Sequence, residues 1–232
     1  KSIYVVLITT LLATTVSCGT DSAKSNAVIT KTPKEILNLS GLAMQATSSF
    51  KFDLSHKNVS GTQIGDLVFS KATGLISSDN AMLVEGKFLF GNLTLSGKLV
   101  TIDDDIFFLN PLTQKWEPSQ GSVTPLSFFN PEEGIKKILD TIISPSIESN
   151  SKTYWNIKGS MPASSLSSII GVTTKNDVEI TIWIDKTTNY LTRAIIYGRL
   201  NEYDRPETNN AIQRIITISK INEALVIEHP LK

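Results

Sequence analysis

The residues of this chain best able to do chemistry are few: one cysteine, two histidines and a scatter of carboxylates and serines. Two histidines, His56 and His229, leave little for zinc or for histidine-based catalysis. A lone cysteine, Cys18, forms neither an intramolecular disulfide nor a cysteine metal cluster. The run Asp103-Asp104-Asp105 invites a calcium reading, but it lacks the spaced oxygen ligands and the terminal glutamate of an EF-hand loop. A hairpin turn is the expectation there. Glu132 and Glu133 are adjacent on a helix, so they point in different directions, and the helix dipole accounts for them without a catalytic pair. Ser164, Ser165, Ser167 and Ser168 sit on a short helix with no histidine partner, which argues against a serine nucleophile. The GxSxG, P-loop and HExxH patterns are absent. We therefore expect no catalytic residue, no metal and no cofactor.

Cys18 has a different chemistry available. It follows Ile3–Ala13 (IYVVLITTLLA), an uncharged and mostly apolar run preceded by Lys1. The run is shorter than the roughly 20 residues that span a bilayer, and it has the length of a signal-peptide core followed by small residues. Thr15-Val16-Ser17-Cys18 resembles a bacterial lipobox, with Thr15 standing where leucine is usual. In that motif the cysteine is lipidated and becomes the mature N-terminus. The other reading is a buried strand with an incidental cysteine; the absence of cysteine elsewhere favours the anchor. Several acyl chains anchor stably where one would be marginal. The expected organisation is a signal peptide over 1–17, a lipidated N-terminus and flexible tether over 18–31 (CGTDSAKSNAVITK), and one folded domain over 32–232. The location that follows is the extracytoplasmic face of the cell membrane.

Composition sets the outer bounds. Apolar residues make up 41% and charged residues 19%, a globular balance. Lys+Arg and Asp+Glu are equal at 22 each, so no basic excess points to nucleic acid.

Two periodicities then lay out the elements. Thr32-Pro33-Lys34-Glu35 carries a cap, an N1 proline and a capping-box glutamate. Ile36, Leu39, Ala43 and Ala46 follow at helical spacing, so an amphipathic helix of about four turns is predicted. From Phe50 the period becomes two. Strand-like runs cover Phe50–Ser55, Asp66–Lys71, Ala81–Phe90, Asn92–Thr101, Ile106–Leu109 and Trp116, divided by Gly, Asn and Asp. A second helix opens at Asn130-Pro131-Glu132-Glu133 and ends at Pro145. The strand Thr153–Gly159 and a short third helix, Pro162–Ile170, come next. Asp177–Asp185, Tyr190–Leu200 and Ala211–Ile221 are strands again, and the segment beyond Leu225 reads as a surface tail or short edge strand. Nine or ten strands with three helices and no βαβ alternation predict an α+β fold. Its body is one large antiparallel sheet with helices on one face. A sheet of that size curls. The helices in its concavity then either fill it or leave an apolar cavity.

Two stretches carry a family resemblance. Gly159-Ser160-Met161-Pro162-Ala163 begins a short helix, and Ile182-Trp183-Ile184-Asp185 runs into a polar turn and the returning Arg193–Gly198 strand. Together with the lipobox, the tether and the helix before a long meander, they resemble the LppX/LprG (LppX_LprAFG) lipoprotein family of the LolA-like class. The resemblance covers most of residues 30–225. It implies a half-barrel of antiparallel strands with helices over its concave face and a hydrophobic cavity between them that holds acylated lipids. Members are envelope lipoproteins linked to moving lipids or lipoglycans away from the cytoplasmic membrane, so an export pump is a further expected partner and a monomer the expected state.

On that reading the cavity is lined by Phe50, Phe52, Leu67, Phe69, Met82, Phe88, Phe90, Leu93 and Leu95, under a lid of Ile36, Leu39, Ile135, Ile138 and Leu139. Burial of an acyl chain gains about 0.8 kcal/mol per CH2. Taken one at a time, the same residues read as ordinary core. Trp183 alternates with Ile182 and Ile184 and so faces the opposite side of the sheet, and Asp185 organises the turn after it. The alternative function is an anchored sensor or scaffold that binds a protein partner and carries no lipid.

Overall fold

The computed structural model describes residues 31–64, 67–77, 81–90, 93–103, 105–110, 113–118, 134–170, 172–205 and 211–231, which belong to one compact unit, Lys31–Lys232. The expected anchor Cys18, the tether, the helix start Asn130–Glu133 and Asp104 lie outside the described residues.

Helix α1 (Pro33–Gln45) starts as its residues dictate. Thr32 Oγ1 accepts the Glu35 amide, and the Glu35 carboxylate accepts the Thr32 amide at 2.7 Å. That closes the capping box and satisfies two donors at the helix start. The meander that follows is β1 (Phe50–Lys57), β2 (Thr62–Ile64), β3 (Leu67–Ile76), β4 (Ala81–Phe90), β5 (Leu93–Ile102), β6 (Asp105–Leu109) and β7 (Trp116–Pro118). Helix α2 (Gly134–Asp140) precedes β8 (Ile143–Asn150) and β9 (Tyr154–Pro162). A 3-10 turn, Ala163–Leu166, runs into the single turn α3 (Ser167–Ile170); then come β10 (Asp177–Asp185), β11 (Leu191–Tyr197) and β12 (Gln213–Ser219).

All the strands join one antiparallel sheet in the order β7-β6-β5-β4-β3-β1-β12-β11-β10-β9-β8, with β2 paired to β3 at its side. Two sequential meanders, β3–β7 and β8–β12, therefore meet at β1. The connection from β7 to β8 passes from one edge of the sheet to the other and carries α2. No helix among the described residues is long and apolar enough to cross a membrane.

The expected α+β architecture is the one observed, with two differences. The sheet has 12 strands, not nine or ten, because β2 and β8 escape sequence patterning. Strand β8 contains Pro145, which ordinarily stops a regular element. An edge position tolerates it, and the β8–β9 register slips on either side of Ser146. The expected third helix divides equally between a 3-10 turn and one turn of α-helix; serine is a weak helix former in an interior position. Of the two forms expected for the segment beyond Leu225, the described residues take the tail and not the edge strand; the His229 ring packs edge-on against Phe107 at 4.9 Å.

Strand register sorts side chains onto two faces. Phe52 lies opposite Gly74 and Ile218, Met82 opposite Ile76, and Ile182 opposite Ala194 and Ile157. These residues share the face that the helices cover. There they join Ile36, Leu37 and Met44 of α1 and Ile135, Ile138 and Leu139 of α2 in one buried cluster. Each such residue contributes about 1.5–3 kcal/mol through burial. The opposite, outer face carries Lys51, Asp53, Glu85, Lys98, Lys158 and Glu179, with Trp183 among them. The Arg193 guanidinium lies over the Trp183 ring at 4.9 Å, in direct cross-strand pairing. Asp185 Oδ1 accepts the amides of Thr187 and Thr188, both at 2.9 Å, and so builds the β10–β11 turn.

Candidate functional site

The helix-covered face is the surface to which the sequence assigned its candidate residues, and it is built differently in its two halves. Over β8–β12 it is aliphatic. Val178, Ile180, Ile182 and Ile184 of β10 are all buried, packed with Ile157, Met161, Ala194 and Ile196. Over β3–β6 it is made of glycines and rings. Phe52 lies so close above Gly74 that a Cβ there would stand 1.9 Å from the ring; for Gly97 beneath Phe88 the distance is 2.4 Å. Gly86, directly opposite Gly97, lies beneath the Phe69 ring. Aromatic rings thus cover the bare backbone of a bending sheet, a pairing that stabilises glycine in strands. Phe69, Phe88 and Phe108 form a chain of ring contacts with centroids 6.2 and 6.3 Å apart.

The candidates distribute over this face as follows. Ile36, Phe50, Phe52, Met82, Ile135, Ile138 and Leu139 meet in the buried cluster, where both helices reach the sheet. Phe88 is buried within the ring chain, and Leu39, Phe69 and Leu95 are half-buried. Leu93 is 62% exposed. The side chains of Leu67 and Phe90 lie outside those described. Two hydroxyls, Ser40 Oγ in the α1 stripe and Thr101 Oγ1 opposite Met82, are buried on this face without a hydrogen-bond partner.

Beyond Phe52 and Leu54 the same face turns polar, a feature that sequence reasoning missed. His56 of β1 lies opposite Arg214 of β12. Arg214 is fully enclosed; it pairs with buried Asp204, donates Nε–H to Thr62 Oγ1 at 2.8 Å and donates to the Gly198 carbonyl at 3.2 Å. Asp204 accepts the Leu200 amide at 2.7 Å. The Ser70 carbonyl, 2.9 Å from His56 Nδ1, only accepts, so the proton sits on Nδ1. Nε2 then accepts the Thr62 hydroxyl at 2.6 Å. Burial, with the nearby Arg214 charge, lowers the His56 pKa below its ordinary 6.5. The groups of the network satisfy one another, and the Thr62 hydroxyl that faces His56 is itself buried and also accepts from Arg214. Its one sequence trace was His56 at the strand position following Phe50, Phe52 and Leu54.

On the outer face a groove of about 430 Å³ opens over β3, β4 and β5, lined by Lys71, Glu85, Lys87, Lys98 and the backbone of Gly86 and Gly97.

No family model matches this sequence, and no curated protein matches it. Solved structures do. LprF from Mycobacterium bovis superposes with a TM-score of 0.65 at 14% identity, over 85% of this chain and 96% of that one. The Mycobacterium tuberculosis lipoprotein LppX gives a TM-score of 0.58 at 16% identity, over 84% of this chain and 98% of that one. The fold implied by the sequence resemblance is therefore the fold found: this chain has the architecture of LprF and LppX.

Proposed function

We propose that this chain is an envelope lipoprotein, anchored through Cys18 at the outer side of the cell membrane, that binds the acyl chains of a lipid or lipoglycan and carries or presents them. The observation that carries the reading is the layout of one sheet face. The described candidates lie on it or on the helices over it, and over β3–β6 it is a ring-and-glycine surface that is only partly buried. An apolar surface left partly uncovered beside a closed core suits hydrocarbon. The fold shared with LppX and LprF supports the same reading. The binding is non-covalent and needs no catalyst.

The test is organic extraction of the purified protein followed by mass spectrometry. Lipid at near one per protein is the expected result; its absence under gentle purification, together with no uptake of added lipid, rejects carriage. For the anchor, Cys18→Ser is expected to release the protein from membranes.

One observation favours a second reading. The helices pack directly on the aliphatic half, with Ile36, Met44, Phe50 and Ile182 fully enclosed. A filled interior of that kind suits an anchored scaffold that binds a protein partner. Lipid-free protein that still captures a defined envelope partner would select it.

A further inference from the structure

The outer-face groove holds an arrangement that its own fold does not explain. Lys71 of β3 lies directly opposite Lys87 of β4. Residues so paired have Cβ atoms about 4.5–5.5 Å apart, and like charges there destabilise a sheet. Both side chains are exposed, and among the described residues neither has a carboxylate partner. Lys98, one strand further on β5, pairs with Glu85.

The juxtaposition is constructed by a bulge. The β3–β4 register shifts between Phe69 and Lys71. Continued regularly from the Phe69–Phe88 pair, the strands would set Ser70 against Lys87 and turn Lys71 to the helix-covered face. The extra residue puts Lys71 on the outer face instead, and two hydrogen bonds hold it there. Ser70 Oγ donates to the Lys87 carbonyl at 3.1 Å, and the Ser70 carbonyl accepts from His56 Nδ1 at 2.9 Å. Bulges commonly re-aim a side chain next to a functional site. Between the lysines the backbone of Gly86 and Gly97, cross-strand partners whose Cβ positions face the other side of the sheet, floors the recess.

The geometry points to a binding site for a phosphate-class anion between Lys71, Lys87 and Lys98. Three lysines against one glutamate leave the lining with excess positive charge. An anion relieves the Lys71–Lys87 repulsion and competes with Glu85 for Lys98. Thr73 makes no competing demand, because its hydroxyl donates to Asp53 at 2.7 Å. The volume of about 430 Å³ exceeds a bare phosphate and accommodates a phosphodiester with its organic substituents. The site lies across the sheet from the proposed acyl-chain surface and does not depend on that reading.

Two arms test it on the full chain. In the first, inorganic phosphate is titrated calorimetrically at low salt, with chloride at matched ionic strength as control. Lys71→Gln/Lys87→Gln should weaken binding by about tenfold or more, the loss expected for charged hydrogen bonds. Glu85→Gln should tighten it by freeing Lys98. Lys87→Glu should abolish binding while urea denaturation shows stability equal to or above wild type, since an opposite-charge pair replaces a like-charge one. In the second arm, phosphatidylglycerol and phosphatidylcholine vesicles are floated with wild type and the double variant; association through the anchor is common to both proteins. A wild-type preference for phosphatidylglycerol that the double variant loses identifies a lipid headgroup as the source. Phosphate binding without that preference identifies free phosphate. Binding unaltered by the lysine substitutions overturns the site, as does the lack of both phosphate binding and vesicle preference.

Discussion

The two meanders of this sheet face the same helices and solve the same problem in opposite ways. In β8–β12, branched aliphatic side chains fill the helix-covered face, and every such residue of β10 is buried. In β3–β6, glycines remove side chains from that face and neighbouring rings fold over the gaps, leaving Phe69 and Leu95 half-buried and Leu93 exposed. The first arrangement maximises close-packed contact and fixes one geometry. The second permits curvature and leaves apolar area uncovered, which costs stability unless something else covers it. Close packing and uncovered apolar surface are thus assigned to different halves of one sheet.

The seam between the halves offers the largest way to break the comparison. Arg214 of β12 reaches Thr62 of β2 and Asp204 of the β11–β12 connection. Asp204→Ala would leave an enclosed guanidinium without its carboxylate and orphan the Leu200 amide. Loss of one partner of a buried pair costs about 3–5 kcal/mol, so urea denaturation should show a loss of that size. A loss below about 1 kcal/mol would mean that the pair behaves as a surface contact and does not hold Arg214 in place to reach Thr62 across the seam.

Within the halves the same measurement should diverge. Ile182→Ala, at a fully enclosed site, should cost about 2–5 kcal/mol and leave lipid loading per folded molecule unchanged. Leu93→Ala, 62% exposed, should change stability by no more than about 0.5 kcal/mol and lower lipid loading. If loading follows Ile182 instead, the division of labour is wrong. Gly74→Ala sharpens the boundary. Its new methyl would meet the Phe52 ring, which is packed in the core cluster and has nowhere to go. Overpacking of this kind costs about 1–3 kcal/mol, and Phe52→Leu in the same chain should recover part of it.

What the sequence revealed follows the range of each interaction. The α1 capping box, the Asp185 turn and the outward placement of Trp183 depend on residues within a few positions, and the structure has all three. Strand β8 was hidden because Pro145 reads as a stop and only its edge position excuses it. The pairing of β1 with β12 joins Lys51 to Ser219 across most of the domain, and no local pattern encodes such a contact. The His56–Thr62–Arg214–Asp204 network was illegible for the same reason: its members come from four separate segments. The candidate face was readable residue by residue as apolar, but its division into a filled half and a ring-covered half depends on which glycine lies beneath which phenylalanine.

The smallest expected effect is a pH dependence located at the seam. Enclosure of His56, with Arg214 nearby, lowers its pKa below the ordinary 6.5, while Asp204 and the hydrogen bond to Ser70 act in the opposite direction. The groups facing it are Arg214 of β12, Asp204 of the connection, Thr62 of β2 and the Ser70 carbonyl of β3. With the folded pKa below the unfolded one, the unfolded chain binds the proton more tightly. Stability is then flat above about pH 6.5 and falls as pH drops from there through the folded value. Protonation also places a second N–H on Nε2, against a hydroxyl that already accepts from Arg214, so the Thr62 proton must leave its present acceptor. Urea midpoints measured at pH 7.5 and 5.5 should show wild type losing stability at the lower pH and His56→Gln losing less. Equal slopes for the two proteins would assign the acid sensitivity to carboxylates elsewhere and leave the seam a purely static joint.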